Sequence, residues 1–98
     1  MNIFDLPQFP LLEELTTILS ENDHVRIERI VSAGQTSDWY DQSETEFVML
    51  LEGEAVIEFE TESVSMTKGD TVLIAPHKKH RVSYTSSAPP CVWLCVFY

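Results

Sequence analysis

The sequence predicts an all-β domain, a sandwich or small barrel of seven or eight short strands closed on itself, behind a short N-terminal α-helix. Three observations carry the prediction. From Val25 onward the apolar residues recur at a spacing of two, the period of a strand. Turn-forming residues interrupt the apolar runs at short intervals, as in a meander of strands. The last run, Cys91 to Tyr98, is apolar on both faces and so needs cover from two sides. With 98 residues, 44% of them hydrophobic, the chain is long enough to bury one core and too short for two.

The front of the chain carries the one helical pattern. Pro10 suits a first-turn position, and Leu11, Leu12, Leu15, Ile18 and Leu19 recur at three and four, with Glu13, Glu14, Thr16 and Thr17 opposite. The expectation is an amphipathic helix over about residues 10–20, within an N-terminal arm of residues 1–24 that precedes a barrel of residues 25–98. In the barrel, Phe47 to Leu51 is apolar throughout. Glu54 to Glu60 places Ala55, Ile57 and Phe59 on one face and three glutamates on the other. Glu52 and Gly53 join these two runs as a tight hairpin, with Gly53 free to take a positive φ.

A short strand at Val64 to Met66 follows, then a break at Lys68, Gly69 and Asp70, and a strand from Thr71 to Ala75 ended by Pro76. After the loop of His77, Lys78 and Lys79, the run His80 to Thr85 puts His80, Val82 and Tyr84 on one face. Arg81, Ser83 and Thr85 fall on the other. That parity turns His80 inward.

Charge narrows the partners. Sixteen acidic residues against six basic ones give a net charge of -10, which repels a phosphate backbone, so no nucleic-acid partner is expected. The acids crowd the front: residues 1–62 hold 15 acids and 2 bases, and residues 63–98 hold 1 acid and 4 bases. No apolar run approaches the ~20 residues of a spanning helix, and residues 1–15 carry three acids and no base, unlike a secretory signal. No membrane contact and a cytoplasmic location are expected. Cys91 and Cys95 stand four apart in an extended stretch, about 13 Å, beyond disulfide reach, and read as reduced core thiols. The apolar outer strand surface leads to the expectation of a homodimer.

Two polar residues are turned inward by their parity. Glu46 shares a face with Val48 and Leu50, and a buried carboxylate has to be paired, protonated or metal-bound. His80 raises the same question. If their strands are neighbours, the two converge with Asp41 and Gln42 upstream as nitrogen and oxygen donors for a divalent metal. The alternative is a Glu and His hydrogen-bonded to each other in a metal-free barrel.

These stretches resemble the two motifs of the cupin family. Glu46 to Gly53, with six residues between acid and glycine, is similar to the second half of the first motif, whose Glu is a metal ligand. Gly69-Asp70-Thr71-Val72-Leu73-Ile74, followed by Pro76 and His80, is similar to the second, which ends in a metal-binding His. The resemblance spans about residues 34–82 and implies a double-stranded β-helix, or jelly-roll barrel. It departs at the two early His ligands. Spaced four from Glu46, Trp39 and Asp41 stand at those positions; spaced three, Tyr40 and Gln42 do. Ala75 stands where a Pro is usual and His77 where Gly often is.

The resemblance therefore implies a metal site of Glu46 and His80 completed by Asp41, Gln42 or His77. Few imidazoles and more oxygens favour Zn, Mn or Ni as a Lewis acid over Fe. Tyr40 is the candidate proton-moving catalytic residue, or else an aromatic wall. Lys78, Lys79 and Arg81 flank His80 and could draw a small anion to the mouth. The expected ligand is a small carboxylate or sugar-like molecule, held for isomerase, lyase or hydrolytic chemistry. The other reading is a binding or sensory module without metal.

Overall fold

A computed structural model describes all 98 residues. Eight strands form two facing antiparallel sheets: β1 (Leu15–Glu21), β2 (Arg26–Ser32), β3 (Glu46–Glu52), β4 (Ala55–Phe59), β5 (Ser63–Met66), β6 (Thr71–Ile74), β7 (His80–Thr85) and β8 (Cys91–Phe97). The larger sheet runs in the order β1-β2-β8-β3-β6 and the smaller in the order β5-β4-β7. The inner faces meet in a core built on Val48, Leu50, Ile57, Met66, Ile74 and Trp93. Alternation sets this arrangement: Glu46, Val48 and Leu50 of β3 and Ala55, Ile57 and Phe59 of β4 are all buried.

At the β3–β4 turn, Gly53 has φ 93°. A Cβ there would lie 2.8 Å from Cα and Sγ of Cys91 and from the Pro90 carbonyl oxygen, so both the backbone angle and the close approach demand glycine. Cys91 and Cys95 are free and buried.

The expected N-terminal helix is absent. Residues 1–14 are irregular, and Leu15, Ile18 and Leu19 belong to β1, which pairs with β2. The run Thr16-Thr17-Ile18 is β-branched and favours an extended chain, and the ladder to β2 satisfies its backbone, which an isolated turn of helix could not do as well. The cover on the outer side of the last strand comes instead from the irregular arm. Arg29 points away from the barrel interior, is 5% exposed, and donates Nη1 to the carbonyls of Asp5 (2.7 Å) and Ile3 (3.3 Å). Val31 and Val92, cross-strand partners on the same side, are completely buried.

β7 also departs from the strict alternation expected of it. Ile57 pairs with Val82 but Val56 with Tyr84, so Ser83 is an extra residue that shifts the parity. Beyond this bulge Tyr84 turns out to 49% exposure. Thr85 turns in, 4% exposed, and donates its hydroxyl to the Gln35 carbonyl at 2.6 Å. His80 precedes the bulge and keeps its inward direction.

Between β2 and β3, residues 35–40 run along the free edge of β7. Tyr40 N–H donates to His80 O (2.7 Å), His80 N–H to Tyr40 O (3.2 Å), Ser37 N–H to Val82 O (2.9 Å), and Val82 N–H to Ser37 Oγ (2.9 Å). This loop closes the gap between the sheets at one end and brings Tyr40 and Gln42 to the barrel mouth.

Candidate ligand cavity

The sheets enclose a cavity of about 270 Å³. Glu46 reaches it from the first position of β3, between Phe97 of β8 and Ile74 of β6. His80 reaches it from the first position of β7, opposite Phe59. Both are buried, at 8% and 4% exposure. His80 Nε2 lies 3.6 Å from Glu46 Oε1, and Gln42 Nε2 donates to the same oxygen at 3.0 Å. His80 Nδ1 is 2.9 Å from the Lys78 carbonyl, which can only accept, so this nitrogen carries a proton and Nε2 faces the carboxylate. The Tyr40 and Phe59 rings flank the imidazole, with centroids at 5.6 and 6.3 Å.

Burial pulls the His80 pKa down, but the Glu46 carboxylate and the Lys78 carbonyl outweigh it, and the net direction is upward. Burial, and then the charge of Glu46, push the Cys95 thiol well up, so it stands in the cavity wall as a neutral group. Burial, and then Glu14, raise the Tyr40 phenol, which stays protonated at the mouth. Burial, and then Glu28, raise Glu14. Three carboxylates thus line the cavity, Glu14, Glu28 and Glu46, against Arg26 and His80. Arg26 is already occupied, bonded to Glu28 and Glu44 with its guanidinium 4.3 Å from the centre of the Phe97 ring.

The structure brings Glu46, His80, Gln42 and Tyr40 together. Asp41 and His77 stand apart from them, paired with each other at 2.8 Å, both solvent-exposed, on the outer side of the mouth. His77 has φ 61°, and its N–H donates to the Gln42 carbonyl at 2.7 Å. Of the two spacings open in the sequence, the one that aims Tyr40 and Gln42 inward is observed; Trp39 and Asp41 line an outer cleft. The basic cluster does not enter the cavity. Lys78 is 3.5 Å from Glu62, and Arg81 is 2.9 Å from Glu58.

Sequence reasoning missed Glu14, Thr16, Glu28, Ser32 and Cys95 as cavity residues. The signal available was strand parity alone: Glu28, Ile30 and Ser32 share one face of β2, as Trp93, Cys95 and Phe97 share one face of β8.

The donors do not fit a site of three imidazoles and a carboxylate. No three His, Cys, Asp or Glu side chains are arranged so that they could hold a metal ion together. Within the cavity, the His80 imidazole and the Glu46 carboxylate are joined by a carboxamide whose N–H side is turned to the carboxylate, by a phenol held in its protonated form and by the neutral Cys95 thiol.

A family model described as "Cupin domain" matches residues 17–97. Among solved structures, a "putative mannose-6-phosphate isomerase" from Ralstonia eutropha JMP134 is 37% identical, covers 99% of this chain and 94% of its own, and superposes with a TM-score of 0.93. A cupin superfamily protein from Desulfitobacterium hafniense DCB-2 is 20% identical over 93% of this chain and 82% of its own, with a TM-score of 0.81. A polyketide cyclase from Streptomyces resistomycificus is 15% identical over 88% and 65%, with a TM-score of 0.76. The last two share the fold alone. No curated protein matches the chain.

Proposed function

The chain belongs to the cupin family, and from that premise we propose that it binds a small, uncharged, sugar-like molecule in its barrel without a metal ion, with Glu46 and His80 as a proton-transfer pair. The supporting observation is the buried contact of these two side chains, 3.6 Å apart at the cavity wall and steadied by Gln42 and the Lys78 carbonyl. Three carboxylates against one occupied arginine and a histidine that faces Glu46 disfavour a carboxylate or phosphate ligand and suit hydroxyl groups, which donate to acids. About 270 Å³ is near the lower bound of roughly 300 Å³ for ligand pockets, which limits the cavity to one small molecule.

On a ligand with a hydroxyl beside a carbonyl, Glu46 is the base that takes the proton from the carbon bearing the hydroxyl. His80, protonated, donates to the carbonyl oxygen where negative charge develops. Glu46 then returns its proton to the neighbouring carbon while the original hydroxyl, becoming the new carbonyl, gives its proton to His80, which completes the isomerisation and restores both side chains. This chemistry agrees with the isomerase activity in the name of the Ralstonia protein, and the lack of an unpaired arginine or lysine in the cavity argues for a sugar without phosphate.

One observation favours a second reading, a divalent Zn, Mn or Ni ion on Glu46, His80 and a rotated Gln42. With Nδ1 bonded to a carbonyl, His80 presents Nε2 in the orientation a metal ligand has. Asp41 and His77 would first have to leave each other. Titration calorimetry with neutral sugars and sugar acids, in chelator-treated buffer and again with each metal, tests both. Saturable binding of a neutral sugar without metal supports the first reading; binding only after metal is added supports the second. The homodimer is proposed through the edge strand β1, where Leu15, Ile18 and Leu19 are exposed, and sedimentation of the purified protein tests it.

A further inference from the structure

Trp39 and Tyr40 are adjacent in sequence and 45% and 44% exposed beside the cavity mouth. Exposed rings of this size mark a surface that is covered in use, provided they are held still. They are held still. Backbone hydrogen bonds from Ser37 and Tyr40 to β7 flank Trp39 on both sides, and the Arg81 guanidinium, fixed on Glu58, stands 5.2 Å from the centre of its ring. A pre-positioned ring gives up little entropy when a ligand stacks on it.

These two rings, with Asp41, Glu60 and Lys79, line an outer cleft. Tyr40 lines both this cleft and the inner cavity, so the two spaces share one wall. Asp41 is oriented by His77. Lys78 and Glu62 pair with each other, whereas Glu60 and Lys79 make no ion pair and keep their polar atoms for a ligand. Electron-rich ring faces attract weakly positive C–H groups, and carboxylates with an ammonium serve hydroxyls as acceptors and donor. A sugar ring offers both.

We propose that this cleft is a second sugar-ring subsite, so that the molecule held in the barrel carries a further ring outside it, as a disaccharide or glycoside does, with Tyr40 as the dividing wall. The proposal rests on the cavity being a sugar-binding site.

The test is titration calorimetry of wild type, Trp39→Ala, Trp39→Phe and Glu46→Gln with maltose, cellobiose and lactose against glucose and galactose. At least one disaccharide is expected to bind about tenfold tighter than its component monosaccharide, the scale of one aromatic contact. Trp39→Ala abolishes that gain and leaves monosaccharide affinity unchanged, Trp39→Phe keeps most of it, and Glu46→Gln weakens both sugars. Should Trp39→Ala fold poorly by its melting curve, Glu60→Gln with Lys79→Met replaces it, with a loss of about threefold expected for the disaccharide alone. If monosaccharides bind and disaccharides gain nothing, or the outer variants weaken both alike, the subsite is refuted and the cavity reading stands. If no sugar binds at all, both fall.

Discussion

Replacing Glu46 by glutamine keeps the shape of the side chain and removes its charge, which makes the consequence calculable. Wild-type Glu46 accepts from Gln42 at 3.0 Å and faces His80 at 3.6 Å, with both members of the pair at 10% side-chain exposure or less. A hydrogen bond to a charged group contributes about 1.5–3 kcal/mol, and a neutral one about 1 kcal/mol. The folded-state pKa of His80 lies above its ordinary value of about 6.5. Protonation of His80 therefore stabilises the fold fully below about pH 6.5, and that contribution is lost as pH rises through the folded-state value. In Glu46→Gln the carboxylate's upward pull is gone, and burial is opposed only by the Lys78 carbonyl. The substitution is expected to cost about 2–3 kcal/mol at pH 6 and about 1 kcal/mol at pH 9. Urea unfolding of both proteins at both pH values measures this, because titrations elsewhere cancel in the double difference. Equal losses at the two pH values, or a larger loss at pH 9, would refute the coupling of Glu46 to His80.

Three further substitutions test the scaffold. Arg29→Met removes the bonds to the Ile3 and Asp5 carbonyls, together with a buried Nε that has no partner, and is expected to cost about 1–3 kcal/mol. Hydrogen exchange should quicken within residues 1–14 and not in β3 or β8; unchanged exchange in the arm contradicts its anchoring. Gly53→Ala puts a Cβ 2.8 Å from Cys91 and Pro90 at a positive φ, and a loss of about 3 kcal/mol or more in chemical denaturation is expected. Leu50→Ala empties a fully buried position and should cost about 2–5 kcal/mol in the same assay without moving the His80 titration seen by NMR.

The parts of the fold legible in the sequence were those where one face is wet. Ala55, Ile57 and Phe59 alternate with glutamates, and Glu52-Gly53 marks its hairpin, because a half-buried strand writes its orientation into every second residue. His80 could be aimed inward for the same reason. The front was illegible because Leu11, Leu12, Leu15, Ile18 and Leu19 fit a helix by spacing alone. On an edge strand whose side chains stay mostly exposed, burial imposes no period that would contradict it. The bulge at Ser83 left no trace, since the residues on either side of it have no polarity that betrays the reversal. In the site, Glu46 and His80 were recoverable from parity. Tyr40 and Gln42 could not be separated from Trp39 and Asp41, because the loop that carries them owes its direction to long-range bonds with β7 and not to a period of its own. Nor could the sequence show that Asp41 and His77 would find each other outside the cavity.

The most direct measurement is a calorimetric titration of a neutral sugar into chelator-treated protein, run on wild type, Glu46→Gln and His80→Asn. Saturable binding to the metal-free wild type, weakened at least tenfold in both variants, is the predicted result. Binding that needs added Zn, Mn or Ni, or that survives both substitutions, would contradict a ligand site built on the carboxylate and imidazole alone.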